Sequence, residues 1–215
     1  LYMRMFVTMC INLIAIRLLL KNIGIVDYGI YNVVGGIVTT LSFISASLSS
    51  GTQRFYAFYL GKNDYNTLNK THSVSILLFV IITIVAILLA ETIGLWFVKT
   101  QLIIPQERMT AALWVYQSSI VSFVAYLLLT PFSAMVLSNE KMGFYSIISI
   151  CDSVIKLLIV IALTITENDR LIIYAVLLTV VSLFDLLAYI VYCKNKFKFL
   201  KHKFIWEGAI LRELF

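Results

Sequence analysis

One long apolar stretch of this chain carries a carboxylate and an ammonium a single helical turn apart. Wound at 100° per residue, Tyr145, Ser149, Asp152 and Lys156 fall within about 60° of one another. Ile147, Ile150, Val154 and Leu158 turn in other directions. The i,i+4 spacing lets Asp152 and Lys156 pair. A charge placed in hydrocarbon costs on the order of 3 kcal/mol, so each one needs a reason. Two roles fit the stripe. It lines a cavity open toward the cytoplasm and closed near the midplane, or it is a neutralised pair that staples helices together; the cavity is the first expectation. Asp185 sits near the centre of another apolar stretch, with Ser182 and Tyr189 on its face. It could take up a proton or meet Lys156 across a helix interface. Arg17 lies near one end of the first stretch, where it either snorkels to the interface or, facing a cavity, offers a phosphate partner.

The elements that must position these groups are transmembrane helices. Of 215 residues, 61% are hydrophobic and 13% charged, against about 25% charged in a soluble domain. The apolar residues gather into blocks long enough for the roughly 20 helical residues that cross a bilayer. The expected spans are 1–20, 30–50, 73–98, 111–136, 144–166 and 171–193. Helix is the only choice, because lipid-exposed strands would leave backbone groups unpaired and the blocks show no alternation. The fold class expected is therefore an all-α polytopic bundle of about six spans. Between the spans run connections at Lys21–Gly29, Gly51–His72, Lys99–Thr110, Leu137–Gly143 and Glu167–Arg170. The first block reads as a span and not as a cleavable signal, since more spans follow at once. It opens inside an apolar run, so further residues are expected before it.

Several function classes fall away. The net charge of +6 reflects cations on one membrane face, and no basic surface domain stands outside the spans to grip nucleic acid. Cys10, Cys151 and Cys193 are isolated and read as small apolar side chains. No Ser/His/Asp set, HExxH, glycine-rich phosphate loop or carboxylate cluster for a metal occurs, so neither an enzyme nor a metal site is expected. His72 and His202 read as solvated interfacial residues. Asn32, Gly35, Thr39, Ser42, Ala46 and Ser49 line one side of the second block, where small residues allow close helix packing; cavity lining is the alternative. Pro131 should kink the fourth span, and Trp96 and Trp114 read as interfacial anchors.

Orientation follows from the cations. Arg54, Lys62, Lys70, Lys141, Lys194, Lys196, Lys198, Lys201, Lys203 and Arg212 would lie on one side, against Lys21, Lys99, Arg108 and Arg170 on the other. The richer side should be cytoplasmic, with both ends of the chain inside. Residues 194–203 would lie along an anionic membrane surface, and 204–215 look like the start of another helix.

Four stretches, GIVDYGIYNVVGG (Gly24–Gly36), TQRFYAFYLG (Thr52–Gly61), IPQERMTAALWVYQ (Ile104–Gln117) and PFSAMVLSNEKM (Pro131–Met142), occur in order along nearly the whole chain. Together they resemble the Wzx-type polysaccharide flippases of the MATE-like MOP exporter superfamily. None of the four is a chemical motif. The resemblance implies two six-helix lobes, of which residues 1–203 would be the N-terminal one and 204–215 the start of the second. It implies export of undecaprenyl-pyrophosphate-linked oligosaccharide, as in O-antigen and lipopolysaccharide assembly, across the bacterial inner membrane. Partners would be membrane lipid, the lipid-linked oligosaccharide, the chain's own second lobe and other polysaccharide assembly proteins. No cofactor is implied, and a proton or sodium gradient is the candidate for coupling. Lys156 and Arg17 are the positions that would match cavity cations, with Asp152 and Asp185 as their partners or as ion-coupling groups. Two rival readings stay open: a MATE-type drug or cation antiporter, and a non-transporting scaffold of a glycan assembly complex.

Overall fold

The computed structural model describes residues 2–40, 42–166 and 169–197, and every regular element among them is helical. The chain is an all-α polytopic membrane bundle. Its helices are α1 (Tyr2–Ile23), α2 (Ile25–Thr40), α3 (Ser42–Gly61), α4 (Tyr65–Leu89), α5 (Leu95–Thr100), α6 (Met109–Ser138), α7 (Met142–Ala162) and α8 (Arg170–Lys196). Five stretches are long and apolar enough to cross a bilayer: α1, α4 with α5, α6 with the turn before it, α7 and α8. α2 and α3 form a pair bent by 47°, together long and apolar enough for a sixth if the pair is one span.

That bent pair corrects the second expected span. Where 30–50 was read as one crossing, two helices meet, and the expected loop Gly51–His72 is mostly the end of α3 and the start of α4. Only Lys62–Asp64 separate the two helices. Asn63 turns the chain at φ 56, and Asp64 caps α4, accepting from the Thr67 N–H at 3.0 Å and its hydroxyl at 2.6 Å. The Thr67 hydroxyl, and then its N–H, hold the Asp64 carboxyl below the usual carboxylate range. Turn-forming and capping residues with no apolar run between them mark this break. At the α2–α3 bend, Thr39, Thr40 and Ser42 each return a hydroxyl to the carbonyl three residues back, at 3.0, 2.6 and 2.5 Å. Such back-bonding bends helices. The expected loop Lys21–Gly29 shrinks to Gly24, whose φ of +89° ends α1 at little steric cost.

α6 is the central helix, packed on α2, α3, α4, α7 and α8, while α1 lies chiefly on α7. α6 continues as helix through Pro131. Between α4 and α5 the chain forms a π turn, Ala90–Gly94. The buried Tyr116 of α6 donates to the Ala90 carbonyl there at 2.6 Å. His72 is buried, against the expectation of a solvated interfacial residue, with Nδ1 3.1 Å from the Tyr56 hydroxyl. Trp96 and Trp114 are exposed, as an anchoring role requires. Of the basic segment 194–203, residues 198–203 lie outside the described residues, as does 204–215.

Candidate functional site

α2, the start of α3, α6, α7 and α8 enclose a cavity of about 600 Å³. Its walls are crowded with hydroxyls: Tyr31, Thr39, Ser42, Ser118, Ser119, Ser122, Tyr126, Tyr174 and Ser182, with Asn32 among them. Among the described residues, Lys156 is the one charged residue in the lining. The small residues of α2 thus line a cavity, where close packing was the first expectation; Gly35 and Gly36 form part of the wall.

How these side chains are bonded sets what the wall can do. The Ser119 hydroxyl donates to Val115 O at 2.8 Å and that of Ser182 to Leu178 O at 3.0 Å. Ser122 donates to the Thr179 hydroxyl at 3.1 Å, and the Asn32 amide to Tyr28 O at 2.8 Å. A hydroxyl has one donor and two acceptor lone pairs. With those donors spent on the helix backbones and Thr179, the hydroxyls of Ser119, Ser122 and Ser182 face the cavity as acceptors. It suits a guest rich in O–H or N–H groups, with Lys156 as the anion contact.

Lys156 joins the cavity to the rest of the stripe. Its Nζ lies 2.9 Å from Asp152 Oδ2, with the two side chains 42% and 22% exposed. Both partners stand on α7. Asp152 Oδ1 is buried and receives no hydrogen bond. The Asp185 carboxyl of α8 sits within hydrogen-bonding reach of Asp152. Two carboxylates have no donor to offer each other, and a proton held between them would supply one. The two carboxyls and Lys156 thus form one polar group between α7 and α8.

Of the α7 stripe, Lys156 lines this cavity and Tyr145, Ser149 and Asp152 do not. Tyr145 and Ser149 lie against α1: Arg4 Nη1 donates to Ser149 Oγ at 2.9 Å, and the guanidinium stacks over the Tyr145 ring at 4.7 Å. Arg4 Nε is buried without a partner. From Lys156 the cavity instead extends toward Tyr31 and Tyr174, near the opposite end of the bundle. Arg17 is exposed on α1, forms no ion pair among the described residues and reaches neither the cavity nor the Asp152 group. Arg4 is the cation that the sequence did not assign. The serines of α6 were missed as well, although Ser118, Ser119, Ser122 and Tyr126 recur at helical spacing in an apolar block.

At the end nearest Tyr31, Arg108 binds Asp27 and Asp169, each at 2.8 Å. This ties the starts of α2, α6 and α8 together. Arg170 adds a bond to Asn22 O at 3.0 Å, and Asn22 one to Val160 O at 2.9 Å. From the sequence, Arg108 and Arg170 counted only among the cations of one membrane face.

Compared with family models, curated proteins and solved structures, the chain matches none.

Proposed function

We propose that the chain is one lobe of a transporter that moves undecaprenyl-pyrophosphate-linked oligosaccharide across the bacterial cytoplasmic membrane for surface polysaccharide assembly. One observation carries the reading: a membrane-embedded cavity walled by hydroxyls has a single cation, Lys156, in its lining among the described residues. A sugar supplies many O–H donors and a pyrophosphate supplies the anion. Asp152 and Asp185 would serve proton coupling. On this reading both ends are cytoplasmic, by the cation count, and a second lobe completes the path.

The rival drug or cation antiporter draws on the same carboxyl pair, which outnumbers Lys156 and would suit a cationic cargo. A scaffold gains nothing from a polar cavity in the membrane. Binding to the purified full-length protein tests the choice. The polyprenyl-pyrophosphate oligosaccharide should compete with itself and displace any bound cationic dye only weakly. Preferential binding of lipophilic cations overturns the proposal in favour of the antiporter.

A further inference from the structure

A second groove, of about 370 Å³, opens between the start of α7 and the end of α8, remote from the hydroxyl-lined cavity. It is lined by Phe144, Ala188, Val191, Tyr192, Asn195 and Lys196. Ala188, Val191, Tyr192 and Asn195 follow i, i+3, i+4, i+7 spacing and so share one face of α8. From Ala188 to Lys196 the helix rises about 12 Å. The groove is therefore apolar at one end and polar at the other.

Its floor is fixed by aromatic packing. Phe144 stacks on Tyr192 with centroids 3.6 Å apart and planes at 11°. Tyr189 and Phe197 meet these rings edge-on at 5.2 and 6.2 Å. Val191 remains exposed at the mouth. α8, at 27 residues, is about 40 Å long and exceeds a hydrocarbon core of about 30 Å. Its final turn thus stands at headgroup depth while Ala188 and Val191 face acyl chains.

The polar end offers a cation and two further donors. The Lys196 ammonium, the Asn195 amide and the Tyr192 hydroxyl make no hydrogen bond or ion pair among the described residues. No carboxylate lines the groove among the described residues. Three such donors above an apolar trough match a phosphodiester with its acyl chain. A zwitterionic headgroup would bring a second positive charge beside Lys196.

We infer that this groove binds one anionic phospholipid of the surrounding membrane, its phosphate held by Lys196, Asn195 and Tyr192 and an acyl chain lying along Val191 and Ala188. The inference needs only the membrane setting and stands apart from the transport reading.

Native mass spectrometry of the purified full chain, titrated with phosphatidylglycerol or phosphatidylcholine, tests it. Wild type should hold one phosphatidylglycerol with at least about fivefold preference over phosphatidylcholine, the weight of one interfacial cation. Lys196→Gln should remove about that preference, and Tyr192→Phe should weaken retention without changing thermal unfolding. Lys62→Gln removes an equal charge outside the groove and should leave binding unchanged. Equal retention of both lipids, no retained lipid, or an equal loss in Lys62→Gln overturns the assignment. So does displacement of phosphatidylglycerol by a polyprenyl pyrophosphate, which would make the groove part of the cargo route.

Discussion

Removing Lys156 separates a functional charge from a structural one, and the geometry sets the sizes. The 2.9 Å bond to Asp152 is an i,i+4 contact with the lysine 42% exposed. A pair so open to solvent contributes only about 0.3–0.5 kcal/mol in itself. Asp152 is less exposed, and its Oδ1 already lacks a donor. Lys156→Ala takes away its remaining hydrogen bond and leaves the carboxylate beside Asp185. That loss should cost about 1–2 kcal/mol, well below the 3–5 kcal/mol of a fully buried broken pair. The double substitution Asp152→Ala with Lys156→Ala strands nothing and should cost under about 0.5 kcal/mol. The coupling between the two positions is then about 1 kcal/mol, measurable as a double-mutant cycle by thermal unfolding in detergent. Export, assayed as surface glycan in a flippase-null strain carrying the full-length protein, should follow a different pattern. Lys156→Ala and the double variant should both abolish it at near-normal membrane levels, while Lys156→Arg keeps part of it because the charge survives. Recovery of export in the double variant would refute the cavity role of Lys156. A coupling above about 3 kcal/mol would refute the argument from exposure.

Three further outcomes test the frame around the cavity. A β-carbon at Gly94 would fall on the buried Tyr116 hydroxyl, so Gly94→Ala should cost about 1–3 kcal/mol; thermal unfolding should show most of that relieved when Tyr116→Phe is added. Arg108→Ala releases Asp27 and Asp169 together and should lower stability by about 1–2 kcal/mol, discounted for the 40% exposure of the arginine; a value near zero in the same assay would show the clamp to be ornamental. A cysteine at Asn63 should resist an impermeant thiol reagent in intact cells while one at Gln106 reacts, and the reverse labelling would overturn the orientation.

What the sequence revealed and what it hid divide along one physical line. Membrane burial is written residue by residue, because each apolar side chain declares its own transfer preference and about 20 in succession suffice. The helices from α4 onward were legible for that reason, and so was the Asp152–Lys156 pair, whose geometry depends only on the turn of one helix. The α2–α3 bend was not, since the apolar run continues through it, and a serine or threonine in an apolar block reads equally as packing or as solvent contact. The cavity needs still more information: five helices must agree on which faces to turn inward before the serines of α6 and the small residues of α2 become opposite walls. Arg4 shows the same limit at a single residue. Nothing along α1 distinguishes it from Arg17, yet the packing of α1 on α7 puts one against Ser149 and Tyr145 and leaves the other exposed. Charge in a membrane therefore marks the helices that carry function, while the partner of each charge is set by interhelical packing, which one helix's periodicity does not contain.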